Sequence, residues 1–64
     1  MEGMVKRWLT GRGYGFIGVD EDDDVFVHYT DLRDAYALMR GQRVEFDIES
    51  TPKGPRAVNV KVVG

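Results

Sequence analysis

The chain of 64 residues contains no cysteine. That absence excludes a disulfide framework and every thiolate zinc site, the two-Cys, two-His module included. There is one histidine, His28, and one serine, Ser50. No activated nucleophile pair can be assembled from them, and no carboxylate pair sits among apolar residues that would shift a pKa. The expectation is a chain that is not an enzyme and takes no cofactor or metal. No apolar run approaches the ~20 residues that span a bilayer, and the N-terminus lacks the regions of a signal peptide. A cytoplasmic protein with no membrane partner and no small-molecule substrate is expected. Positive charge is also short, at a net charge of −2, which taken alone argues against a nucleic-acid partner. The distribution says otherwise. Eight of the 11 acids fall in Asp20–Asp24 and at Glu45, Asp47 and Glu49, leaving three carboxylates against nine Lys/Arg elsewhere.

What is present is organised around Gly13–Tyr29. Tyr14-Gly15-Phe16-Ile17-Gly18-Val19 and Val25-Phe26-Val27-His28 both alternate with a period of two, as half-buried strands do. Paired as a hairpin, they place Ile17, Val19, Val25 and Val27 on one face and Tyr14, Phe16, Phe26 and His28 on the other. The inversion of size is the informative part: modest aliphatics face the core and large rings face water. Burying Phe and Tyr instead would expose four β-branched residues together.

Around this hairpin the chain reads as five short strands, at about residues 4–9, 14–19, 25–29, 43–50 and 56–63, in one domain over 1–64. Val5 is the inward residue of the first strand. Simple alternation puts Lys6 and Trp8 outside and Arg7 inside, so a bulge near Arg7 is expected, because a buried unpaired Arg is costly. Leu32, Ala35, Tyr36 and Met39 follow helical spacing, with Thr30 or Asp31 as cap, which predicts a helical turn or two between strands three and four with Leu32 on the core. Val44, Phe46 and Ile48 read as inward in the fourth strand, and Val58, Val60 and Val62 in the fifth. The fold class is all-β: a five-stranded antiparallel barrel, closed because closure removes exposed edges.

Six of the seven aromatics (Trp8, Tyr14, Phe16, Phe26, Tyr29 and Tyr36) stay off the core side, ringed by Lys6, Arg7, Arg12, Lys53 and Arg56. This is the composition of a platform for single strands: rings stack bases and the marginal cations meet phosphates. Gly13, Gly15 and Gly18 leave room between the rings. Duplex fits poorly, because paired bases hide their faces. For Trp8 and Tyr36 the plain alternative is that they cap the barrel. The acidic run lacks the Gly and distal Glu of an EF-hand and reads as a solvated loop. The rival function is an aromatic groove holding a Pro-rich or extended peptide.

Arg12-Gly13-Tyr14-Gly15-Phe16-Ile17 resembles the first ribonucleoprotein-type motif of the cold-shock domain family, and Val25-Phe26-Val27-His28-Tyr29 resembles the second. The resemblance continues through Gly41-Gln42, Val44-Glu45-Phe46 and Lys53-Gly54-Pro55-Arg56-Ala57-Val58-Asn59-Val60. It implies an OB-fold barrel that binds single-stranded RNA or DNA, often as an RNA chaperone. Tyr14, Phe16, Phe26, His28 and Tyr29 match the family's stacking positions, and Lys6, Arg12 and Arg56 its basic or polar contacts. Where the family has Lys-Trp-Phe-Asn, this chain has Lys6-Arg7-Trp8-Leu9, so either Arg7 or Trp8 takes the platform position on strand one. Tyr36 is an extra ring in a shortened loop. The reading is a monomeric, ATP-independent single-strand binder of low sequence specificity, with a pyrimidine preference.

Overall fold

The computed structural model describes residues 1–19 and 23–63. Asp20, Glu21, Asp22 and Gly64 lie outside the described residues, and with them most of the expected acidic loop. Five strands, β1 (Glu2–Leu9), β2 (Tyr14–Gly18), β3 (Asp24–His28), β4 (Arg43–Thr51) and β5 (Gly54–Val62), close into a barrel in the order β1-β2-β3-β5-β4. Each expected strand is present, with ends shifted by a residue or two. The ladders are antiparallel except where β3 meets β5, which is a short parallel pairing of Phe26 with Arg56 and Val27 with Ala57.

The hairpin parity is observed. Ile17, Val25 and Val27 are buried, Val19 packs partly against them, and Tyr14, Phe16, Phe26 and His28 are half-buried on the other side. The core is completed by Val5, Leu38, Val44, Phe46, Ala57 and Val60.

Two irregularities decide which residues join that core. In β1, Val5 stands opposite Ile17 and Arg7 opposite Phe16, so β1 holds one residue more than β2 between these rungs. This is the expected bulge. It turns both Lys6 and Arg7 outward and brings Trp8 opposite the buried Gly15, where it packs against the core. Trp8 therefore does not share the outer face, contrary to simple alternation. In β5, Lys61 faces Glu45 while Val58 faces Asp47, so the extra residue lies on β5, at Asn59–Val60. Asn59 adopts φ 53°, a left-handed conformation that Asn tolerates better than most residues. The parity of β5 flips there, and Ala57 and Val60 point inward.

Three sequence expectations are corrected, the first by the β5 bulge and the other two by where flanking strands end. Val58 is only half-buried, on the rung of exposed Asp47. Val62 is 42% exposed because it lies past Val60, where only β4 flanks it. Ile48 is 43% exposed because β1 accompanies β4 only through Arg43–Glu45.

The helical spacing after Thr30 yields a single 3-10 turn, Tyr29–Asp31, capped by His28 and not by Thr30 or Asp31. Beyond it the backbone donors go elsewhere. Arg33 N–H donates to the Val60 carbonyl (2.9 Å) and Met39 N–H to Gln42 Oε1 (2.7 Å). Leu32 bridges to Val60 as expected, and Leu38, which the periodicity does not select, is the buried residue of this segment.

Candidate nucleic-acid interface

The register lines up one rung across four strands of the outer face: Arg7 opposite Phe16, Phe16 opposite Phe26, Phe26 beside Arg56. A guanidinium thus stands at each end of a phenyl pair. The next rung carries Leu9, Tyr14 and His28. Cross-strand partners on one face are close enough for rings to touch. Phe16 and Phe26 meet edge-on with centroids 6.0 Å apart, and Tyr14 lies 5.7 Å from Phe26 and 6.4 Å from Phe16. His28 and Tyr29 form a second pair at 4.6 Å. His28 is fixed through Nδ1, which lies 2.9 Å from Thr30 Oγ1.

Turn geometry seats Tyr29. The Leu9 carbonyl accepts from Arg12 N–H (3.0 Å) and Gly13 N–H (3.1 Å), and Tyr29 N–H donates to the Gly13 carbonyl (2.8 Å). Gly13 sits at φ 73°, and a Cβ there would come within 2.7 Å of the Tyr29 ring. The glycines therefore do not simply clear space for bases. Gly15 faces inward, where a Cβ would collide with the Arg7 carbonyl and the Trp8 ring, and Gly18 is covered by the aliphatic stem of Lys6.

The cations divide into two groups. Lys6 Nζ is 2.8 Å from Asp24 Oδ1, and Arg56 is held by Asp31. Among the described residues no ion pair holds Arg7, Arg12 or Lys53. Arg7 lies on the aromatic rung, whereas Lys53 and Arg56 line a cleft of about 570 Å³ with Phe16, Phe26 and the Thr51–Pro55 turn. That turn is braced by Thr51, whose hydroxyl donates to the Gly54 carbonyl at 2.6 Å. Tyr36, 92% exposed, shares a shallow hollow with Tyr29 and Leu32, away from the phenyl pair.

Tyr14, Phe16, Phe26, His28, Tyr29, Lys6, Arg7 and Arg56 are thus brought together on one face. Trp8 is not, because of the bulge. Asp31 is the residue that sequence reasoning missed. Its local signal, a carboxylate three residues after His28 and five after Phe26, reads along the chain only as a helix cap.

An all-β closed barrel carrying clustered rings and cations on one outer face defines the class, an OB-type barrel with the surface of a nucleic-acid binder. Residues 1–63 match the family model described as "'Cold-shock' DNA-binding domain". The chain belongs to the cold-shock domain family, a family of nucleic-acid-binding proteins. It is similar to a cold shock-like protein of Aquifex aeolicus, 49% identical over 97% of this chain and 93% of the relative. A cold shock-like protein of Thermotoga maritima is 48% identical over 98% of both chains. Cold shock-like protein CspB of Escherichia coli is 49% identical over 94% of this chain and 89% of the relative. Among solved structures, drosophila Unr CSD456 superposes with a TM-score of 0.76 at 22% identity, covering 98% of this chain and 26% of that one. That likeness is one of fold. No helix among the described residues is long and apolar enough to cross a membrane.

Proposed function

We propose that the protein binds single-stranded RNA or DNA on the outer face of β1–β3 and acts as an ATP-independent RNA chaperone. Unpaired bases stack on Tyr14, Phe16, Phe26, His28 and Tyr29, and the cations at the margin meet the backbone. The observation that carries this reading is the rung Arg7–Phe16–Phe26–Arg56, in which large rings stay at the surface of a barrel whose core, Phe46 apart, is filled by smaller aliphatics. Stacking on an exposed ring contributes about 1–3 kcal/mol per base and tolerates sequence. A monomer that holds unpaired segments in this way shifts a hairpin toward its open form by binding alone. The effect is stoichiometric and needs no nucleotide hydrolysis.

The test is a hairpin oligonucleotide with fluorophore and quencher at its ends. Rising protein without ATP opens it in proportion to occupancy, and a preformed duplex of the same composition binds more weakly. Equal affinity for duplex and single strand overturns the proposal. A Pro-rich peptide that binds this face while oligonucleotides do not would assign it to protein recognition instead.

A further inference from the structure

Arg56 is held along one edge of its guanidinium by Asp31. Asp31 Oδ2 accepts from Arg56 Nε at 2.9 Å and lies 2.7 Å from Nη2. The Asp31 side chain keeps 15% of its exposure and that of Arg56 39%, so the pair is partly withdrawn from solvent. This contact closes one edge of the guanidinium and offsets its charge. It leaves Nη1 and the outer N–H of Nη2 as a planar fork whose rotation is fixed by the carboxylate.

A cation already matched by a carboxylate gains little by displacing counterions from a phosphate. A preorganised fork is suited to a planar pair of acceptors. The fork stands next to Phe26 on the same rung, and Arg56 forms the wall of the cleft of about 570 Å³ that Phe16, Phe26, Pro52 and Pro55 also line. That volume lies within the usual range for a small-ligand pocket, and a base stacked on Phe26 would present an edge to Arg56.

We infer that this cleft selects guanine, with Arg56 donating to O6 and N7 and Asp31 acting as its positioning residue. Guanine carries two adjacent acceptors on its Hoogsteen edge, which is free in a single strand. Thymine, uracil and adenine present no such pair, and cytosine has one only on its Watson–Crick edge. The inference rests on the platform proposed above and adds to it one nucleotide position where sequence matters, against the pyrimidine preference expected of the stacking rings.

The experiment measures, by anisotropy, the affinity of a labelled oligothymidylate and of derivatives with guanine, adenine or cytosine placed singly at each position. In the wild type, guanine at one position strengthens binding by about tenfold over thymine. In Arg56→Lys, which keeps the charge but loses the fork, the guanine-to-thymine ratio falls to near one. In Asp31→Asn the ratio also falls, while the salt dependence of oligothymidylate binding steepens, because Arg56 is released as a full cation. A purely structural Asp31 would not change the two in opposite senses. A ratio near one at every position in the wild type, a gain for cytosine greater than for guanine, or a guanine gain that survives Arg56→Lys overturns the inference. If Phe16→Ala and Phe26→Ala leave oligothymidylate binding intact in folded protein, the platform itself has failed, and the inference with it.

Discussion

The sharpest test of the architecture is a pair of substitutions at neighbouring positions on β3, Phe26→Ala and Val27→Ala. Phe26 lies outside the core, between Phe16 at 6.0 Å and Tyr14 at 5.7 Å. Val27 is fully buried, opposite Gly15 and beside Ala57. Removing the Phe26 ring deletes one stacking surface, so affinity for a short oligothymidylate should fall by about 1–3 kcal/mol, or about 5- to 150-fold in Kd. It also removes two ring contacts, each of about 0.5–1.5 kcal/mol, so some loss of stability accompanies it. Val27→Ala leaves a void in a small core and should lower stability by about 1–3 kcal/mol. The affinity of its folded fraction should stay at the wild-type value. Urea unfolding gives the stability of each variant, and anisotropy titration well below the unfolding midpoint gives the affinity. If Phe26→Ala binds as tightly as wild type, or Val27→Ala loses affinity in folded protein, the assignment of inside and outside on β3 is refuted.

Among the described residues, no ion pair holds Arg7, Arg12 or Lys53, so a plot of log K against log salt should have a slope of about −2, set by about three phosphates; a flat plot would refute the electrostatic share. Arg7→Trp places an indole on the rung of Phe16, and its fluorescence should be strongly quenched by oligothymidylate, whereas Trp8 of the wild type, packed against the core, should respond weakly. Strong quenching of Trp8 in the wild type would contradict its inward placement. Glu2 stands opposite Glu45 on the β1–β4 ladder, and like charges there are unfavourable. Glu2→Lys should therefore stabilise the barrel by a few tenths of a kcal/mol at low salt, an increment that thermal unfolding should show shrinking as salt is added. Gly15→Ala should destabilise by about 1–3 kcal/mol, since the added Cβ meets the Arg7 carbonyl, which cannot move without opening the β1–β2 ladder.

Much of this protein is local and can be read along the chain. The period of two in Tyr14–Val19 and Val25–His28 decides which side chains share a face, and it survives folding because β2 and β3 pair without a slip, residue for residue from Tyr14–His28 to Gly18–Asp24. The chain also states which rings are left over once the aliphatics are assigned to a core. Where the ladders carry an extra residue, only the partner strand reveals it. Alternation alone puts Trp8 outside and Val58 inside, and the bulges in β1 and β5 reverse those placements.

Leu38 enters the core because the segment after Asp31 wraps without helical hydrogen bonds, a choice made by Val60 and Gln42 and not by its own spacing. The ion pair of Asp31 with Arg56 joins residues 25 apart in the chain, and no local pattern announces it. Periodicity is a property of one strand, and it determined the faces. Register and charge pairing are properties of two segments in contact, and the tertiary structure alone decided which cations stand free beside the rings and which are already held.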